Sequence, residues 1–169
     1  MKNAMKKYTW LSALQIRPAH AEDGNALARV LRAADRAELA ATHPGQKPAE
    51  CLESFIAISA VSVFASYRGT PLLLAGIYRD RQLPSPCVVW LLTGEDVQKH
   101  PIRFCKLAQF FLGEWLAYYG TLFNYIDARY TSACKLALRL GGQLENDETY
   151  YGGTLFLKCT FRRNLWEES

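Results

Sequence analysis

The sequence predicts an α/β protein in which helices flank a mixed, mostly antiparallel sheet. Three observations carry this expectation. A strand, a helix and a double glycine follow one another from Leu122 to Gly142, two strand-like runs enclose the turn at 68–71, and turn residues bound an apolar run at 87–92. The predicted order of elements is β-α-α-β-β-β-α-β-α-β-β.

The first half of the chain begins with a predicted strand at Leu14–Arg17. Asp23 is placed to cap one helix that runs to about Ala41, where His43-Pro44-Gly45 would stop it. A second helix is predicted at 49–59, and a hairpin follows it with strands at 61–67 and 72–78.

The run Cys87–Leu92 is apolar at every position, which is typical of a central strand buried on both faces. Because side chains alternate along a strand, the two predicted faces are Val88, Trp90 and Leu92 on one side and Val89 and Leu91 on the other.

The second half continues with a helix from Pro101 to about Tyr119, since proline suits a first helical turn. Its aromatic residues are too many for one face, so Phe110 and Tyr118, with Tyr119 as a further candidate, should lie away from the core and form a protein contact. The last elements are a strand at 122–128, a helix at 131–140 that Thr131 or Ser132 can cap, and strands at 143–148 and 154–161.

The composition is that of a globular chain. Half of the 169 residues are hydrophobic and 21% are charged, which predicts a single domain with a sizeable core. We assign residues 1–13 to an extension, 14–161 to the domain and 162–169 to a tail. Arg17 interrupts the apolar stretch near the start, which argues against a secretory signal, and no apolar run is long enough to span a membrane.

The charge and the metal-ligating residue types exclude several functions. The net charge of +4 is mild and scattered, so no specific nucleic-acid binding is expected; salt-sensitive DNA binding stays a weaker alternative. The five cysteines are widely spaced within apolar runs, which favours buried thiols in a reducing compartment. The three histidines are isolated, so no metal site is predicted.

The order of elements resembles that of the GNAT (acyl-CoA N-acyltransferase) fold. A narrower resemblance is to phage proteins similar to the internal virion protein A of short-tailed podoviruses, and its markers are the segments 16–18, 31–39, 71–76, 89–93, 122–127 and 140–142. This resemblance implies a phage or host protein as partner, and the host cytoplasm, with the virion as a further location.

The GNAT resemblance implies a cofactor site after the central strand, where a glycine-rich loop and a helix start bind the pyrophosphate of coenzyme A. The matching residues here are Leu92, Thr93, Gly94, Lys99 and Arg103, with Asn124 on the next strand. The loop has one glycine, Glu95 and Asp96 add negative charge, and Pro101 has no N–H to offer. The expectation is therefore a lost phosphate site and no cofactor, with acetyl-CoA as the alternative.

The resemblance also implies a general base and a general acid. Glu95 and Asp127 are the candidate bases. The tyrosine of the family pattern falls at Ala137, so Tyr130 is the substitute acid.

The resemblance further places the first helix beside the acceptor cleft and leaves a wedge between the fourth and fifth strands. Arg32, Asp35 and Glu38, at i, i+3 and i+6, form either a surface ladder or a substrate or interaction site. We expect the wedge to be bordered by Thr93, Asn124 and Asp127, and to be narrowed by side chains.

Two functions follow from these expectations. The favoured one is a GNAT-like phage protein with a degraded acyl-CoA site, acting in virion assembly or as a protein-interaction module. The alternative is an active acetyl-CoA-dependent N-acetyltransferase that modifies a host or phage protein.

Overall fold

A computed structural model describes residues 13–79 and 87–163. Its elements in chain order are β1 (Leu14–Pro18), α1 (Ala21–Arg29), α2 (Ala33–Thr42), α3 (Pro48–Ile58), β2 (Val61–Tyr67), β3 (Thr70–Tyr78), β4 (Cys87–Thr93), a 3₁₀ helix (Glu95–Lys99), α4 (Pro101–Tyr119), β5 (Thr121–Asp127), α5 (Thr131–Arg139), β6 (Gln143–Tyr151) and β7 (Thr154–Arg162). The strands form one sheet in the order β1-β2-β3-β4-β5-β7-β6. The predicted fold class is confirmed. Most of the expected extension and tail lies outside the described residues.

The helix predicted from Asp23 to Ala41 is in fact two helices, and the break between them is at residues 30–32. Three backbone contacts join this connection to the end of β4: Glu95 N–H to the Val30 carbonyl (2.9 Å), Arg32 N–H to the Thr93 carbonyl (3.0 Å) and a bridge between Leu31 and Gly94. A helix cannot continue where its backbone groups bond to another strand. The break therefore anchors the start of α2 at the end of β4.

The start of α1 also differs from the prediction. His20 is the N-cap residue, and Asp23 lies in the first turn, where its carboxylate accepts the His20 N–H at 2.8 Å. The same carboxylate pairs with Arg17 of β1 at 2.6 Å, so Asp23 completes a capping box with His20 and also ties the helix to the sheet.

β4 and β5 diverge along their length. They run parallel and are paired only at Cys87–Leu122 and Val88–Phe123, whereas β4 pairs with β3 as far as Thr93. On its other side β5 pairs with β7 along its whole length, from Thr121 to Asp127. The later parts of β4 and β5 therefore face a gap in the sheet, which we call the wedge.

The two faces of β4 are buried unequally. Val88, Trp90 and Leu92 are buried as predicted, and the last two pack with α1 and α3. Val89 and Leu91 are only half-buried, contrary to the prediction, because their face lines the wedge.

The end of α5 requires both of its glycines. Gly141 has φ of 78°, a left-handed conformation that glycine adopts without strain. At Gly142 a Cβ would lie 2.8 Å from the Ala137 carbonyl oxygen and would also touch Cys159. Tyr130, and not Thr131 or Ser132, is the N-cap residue of this helix, and no side chain caps it.

Candidate functional site in the wedge

The wedge contains a cavity of about 330 Å³. Most of its wall is apolar: β4 supplies Val89 and Leu91, α4 supplies Phe104 and Ala108, and α5 supplies Ala133. A cavity of this size lies at the lower end of the range for small-molecule sites. The expected wedge is present, and Thr93 and Asn124 line its cavity, whereas Asp127 does not.

One part of the cavity wall is polar. Six residues singled out in the sequence line it, namely Arg32, Asp35, Glu38, Thr93, Asn124 and Tyr130. They come from the start of α2, from the facing strands β4 and β5, and from the start of α5. The fold thus gathers residues that are almost one hundred positions apart.

Asp35 is a buried, fully paired carboxylate, with a relative exposure of 6%. It accepts hydrogen bonds from the Thr93 hydroxyl and from Arg32 Nε, both at 2.8 Å. A solvent-exposed ladder is therefore the wrong interpretation of this position. The contacts hold α2 against the last residue of β4 and neutralise the Asp35 charge where it meets the cavity.

Glu38 lies one helical turn later and has a different environment. Its side chain is half-buried and lines the cavity, and within residues 13–79 and 87–163 its carboxyl takes part in no hydrogen bond or ion pair. Burial raises its pKa to about 8, the charges of Asp35 and Asp127 add to the rise, and Arg32 opposes it. At neutral pH this group can therefore both give and accept a proton.

Asp127 is less suited to accept a proton. It is completely buried and forms an ion pair with Arg129 at 2.6 Å. Burial works against its ionisation, but hydrogen bonds from the Arg129 side chain and backbone lower its pKa overall. Asp127 is therefore a stable anion that fixes the chain between β5 and α5.

Tyr130 follows this anchored turn and lines the cavity. Burial raises the pKa of its hydroxyl, with further contributions from the charges of Asp127, Glu38 and Asp35. The phenol is thus held in its neutral form, in which it can donate a hydrogen bond or a proton into the wedge.

The segment after β4 offers few free backbone donors. The N–H groups of Gly94, Glu95, Val97 and His100 bond to carbonyl groups of the chain itself, at 2.7, 2.9, 3.3 and 3.1 Å. A phosphate-binding loop must direct such groups outward at the ligand. Here they hold the 3₁₀ helix in place.

The charged side chains of this segment do not line the wedge cavity either. Glu95 is exposed and does not line the wedge cavity. Lys99 pairs with Asp96 at 2.8 Å, and Arg103 lines a small pocket beside Leu14 and Tyr67 of β1 and β2. Leu92 packs on the opposite face of the sheet, with the residues of α1 and α3.

Other site types receive no support in the described part of the chain. No group of three or more metal-ligating side chains occurs among residues 13–79 and 87–163. In the same residues, none of the helices has the length and apolar character needed to cross a bilayer.

Solved structures identify the architecture. An acetyltransferase of the GNAT family from Streptococcus pneumoniae matches with a TM-score of 0.60 and 16% identity, over 88% of this chain and 99% of its own. This chain has a GNAT fold. An N-acetyltransferase from Staphylococcus aureus Mu50 (TM-score 0.64, 16% identity, 89% and 98% covered) and the ribosomal-protein-S5-alanine acetyltransferase from Vibrio fischeri (TM-score 0.64, 13%, 91% and 95%) are similar too. No family model and no curated protein matches the chain.

The GNAT fold implies acyl-CoA as a ligand, and the residues of this chain fit only part of that molecule. The apolar wedge can take a slender chain such as the pantetheine arm. The segment at 94–101 is poorly suited to a pyrophosphate, because four of its N–H groups bond to carbonyl groups of the chain and Glu95 adds an exposed negative charge.

Sequence reasoning missed two features of this site. It placed no apolar cavity in the wedge, because the splay of β4 from β5 depends on tertiary pairing. It also grouped Glu38 with Arg32 and Asp35. In the structure Arg32 and Asp35 pair with each other, and of these three side chains only that of Glu38 has no partner within the described residues. The i, i+3 spacing on α2 was the available signal, but spacing alone does not reveal which helix face meets the wedge.

Proposed function

We propose that this chain is a GNAT-fold protein with a degraded acyl-CoA site that acts in virion assembly or as an interaction module for a phage or host protein. The observation that carries the loss of coenzyme A binding is the segment after β4. Four of its backbone N–H groups bond to carbonyl groups of the chain, and Glu95 adds an exposed negative charge to the segment. The assembly role rests on the podovirus resemblance of the sequence.

The outer face of α4 supports a binding role. Ile102 and Tyr118 have relative exposures of 73% and 82%, and Phe110 is also exposed. Large apolar side chains on one exposed helix are common in protein contacts. The sequence placed Phe110 and Tyr118 off the core face, and their exposure confirms that prediction.

Calorimetry tests the loss of coenzyme A binding. The full-length chain is titrated with coenzyme A, acetyl-CoA and phosphate-free pantetheine. We expect no low-micromolar binding of either coenzyme and no advantage of coenzyme A over pantetheine. Low-micromolar binding that depends on the phosphates would contradict the proposal.

Active N-acetyl transfer is the second candidate function, and the wedge favours it. Glu38 and Tyr130 line one cavity; Glu38 can exchange a proton near neutral pH, and the neutral Tyr130 hydroxyl can donate a hydrogen bond or a proton. Mass spectrometry of a host lysate, incubated with the protein and acetyl-CoA at several pH values, tests this function. Acetylation that disappears in the Glu38→Gln variant would support it, and the absence of new acetylation would count against it.

A further inference from the structure

The carboxyl groups around the wedge are not equally neutralised. Asp35 pairs with Arg32 and Asp127 pairs with Arg129. Glu38 has no cationic partner within the described residues, although it lines the same cavity. An ionised Glu38 would therefore place an uncompensated negative charge against an apolar wall, which is costly unless a cation joins it.

The rest of the cavity is suited to a hydrocarbon chain. Its wall between β4, α4 and α5 consists largely of aliphatic and aromatic side chains, among them Leu91, Phe104, Phe111, Ile126 and Leu136. Such a wall gains free energy by burying methylene groups, about 0.8 kcal/mol for each one. The cavity thus combines an apolar chamber with one unpaired acid.

We propose that the wedge binds an amphiphile with an unbranched alkyl chain and a primary ammonium head. The chain lies among the apolar side chains of α4 and α5, and the head pairs with the Glu38 carboxylate. This ligand needs no phosphate contacts, so the inference goes beyond the proposed function and does not depend on it.

Other head groups fit less well. An alcohol gives an ionised Glu38 carboxylate no counter-charge, so it can bind only beside the protonated acid. A fatty acid would bring a second anion beside Glu38, Asp35 and Asp127, where Arg32 and Arg129 are already paired.

The proposed pairing makes binding depend on pH. The charges that shift the pKa of Glu38 are those of Asp35 in α2, of Arg32 at the N-cap of α2, and of Asp127 in β5. Tyr130 is the neighbouring titratable group and remains neutral. An alkylammonium ion stays charged up to about pH 10. Below the Glu38 pKa of about 8, binding must release the proton from this carboxyl, so affinity falls by about tenfold for each unit of lower pH.

The test is calorimetry on the full-length chain with n-octylamine, octan-1-ol and octanoate at pH 6, 7 and 8. We expect octylamine to bind best at pH 8, with an affinity that rises about tenfold from pH 6 to 7 and about fivefold from pH 7 to 8, and with proton release at pH 6 and 7. Glu38→Gln should lose the preference for the amine and the pH dependence. Glu114→Gln, which removes an exposed carboxylate from the outer side of α4, should bind as the wild type does.

Equal binding of the three ligands, or octylamine binding that Glu38→Gln leaves unchanged, would overturn the inference, and so would the absence of octylamine binding. Coenzyme A provides an independent readout. Phosphate-dependent coenzyme A binding contradicts the proposed function alone, whereas failure of octylamine contradicts only the amphiphile.

Discussion

Two acids on one helix show how a few ångströms decide the chemistry of a side chain. Asp35 receives hydrogen bonds from Thr93 and Arg32, so its charge is satisfied although it is buried. Glu38 has no such donors and responds to burial with a pKa of about 8. The sequence placed both residues in one candidate site. Their different environments depend on the hydrogen bond between Thr93 and Asp35, which are 58 positions apart, and helical spacing does not reveal that contact.

The raised pKa of Glu38 predicts a stability that depends on pH. The unfolded chain ionises this carboxyl near its ordinary value of 4.5, whereas the folded chain keeps the proton up to about pH 8. The contribution of Glu38 to stability is thus fully present below pH 4.5 and is lost as the pH rises to 8. Glu38→Gln should therefore be more stable than the wild type at pH 8, by roughly 1–3 kcal/mol, and nearly equal at pH 5.

Urea unfolding of the wild type and Glu38→Gln at pH 5, 6, 7 and 8 measures this difference in the free energy of unfolding. The two proteins share all other titratable groups, so the contributions of those groups cancel. Glu114→Gln is the matched control, because it makes the same change at an exposed position, where substitutions alter stability little. A constant difference between Glu38→Gln and the wild type across the four pH values would mean that Glu38 ionises normally in the folded chain.

At the scale of elements, the end of α5 rests on a close approach of backbones. Gly142→Ala should destabilise the protein by roughly 1–3 kcal/mol, because the added methyl group meets the Ala137 carbonyl, Cys159 and Phe161. Gly113→Ala is the matched control within α4, where an added methyl group meets nothing. That change should stabilise by roughly 0.5–1 kcal/mol through helix propensity.

Chemical unfolding followed by circular dichroism compares the two glycine variants with the wild type. The expected result is that the free energy of unfolding falls for Gly142→Ala and rises for Gly113→Ala. If Gly142→Ala unfolds at the same denaturant concentration as the wild type, then the packing of α5 against β7 is looser than described.

The segment between β4 and α4 allows a second prediction at this scale. Replacing both Lys99 and Arg103 by Ala should leave the circular dichroism spectrum and the thermal midpoint nearly unchanged, since Lys99 is exposed and neither side chain lines the wedge. Pro101→Gly should lower the midpoint, because proline fixes φ in the first turn of α4. Loss of an acyl-CoA-dependent activity in the folded double variant would instead favour the enzyme.

The order of elements was predictable because hydrophobic periodicity and turn residues are local signals. The helix at 131–139, the central strand and the hairpin were all found in this way. The break at 30–32 was not, since Leu31 and its neighbours continue the apolar stripe of the helix. Their backbone groups bond to β4 instead, and only the assembled fold provides that partner.

At the scale of the whole molecule, the separation of β4 from β5 creates both the site and a weakness. The wedge leaves apolar side chains such as Val89 and Leu91 half-buried, where a continuous sheet would cover them. Folds often retain such unfilled space where a ligand binds, at a cost in stability.

Filling the wedge should therefore raise stability and lower binding together. Ala108→Leu adds methyl groups on the face of α4 that lines the cavity, and should stabilise the fold by about 1 kcal/mol while it weakens octylamine binding at least tenfold. Ala117→Leu makes the same change on an exposed part of the same helix, so it should alter neither property appreciably. Urea unfolding and calorimetry on the three proteins measure both effects. If Ala108→Leu is more stable than the wild type but binds octylamine equally well, the ligand lies outside the wedge. If Ala108→Leu is less stable than the wild type, the cavity cannot accept even a short aliphatic chain.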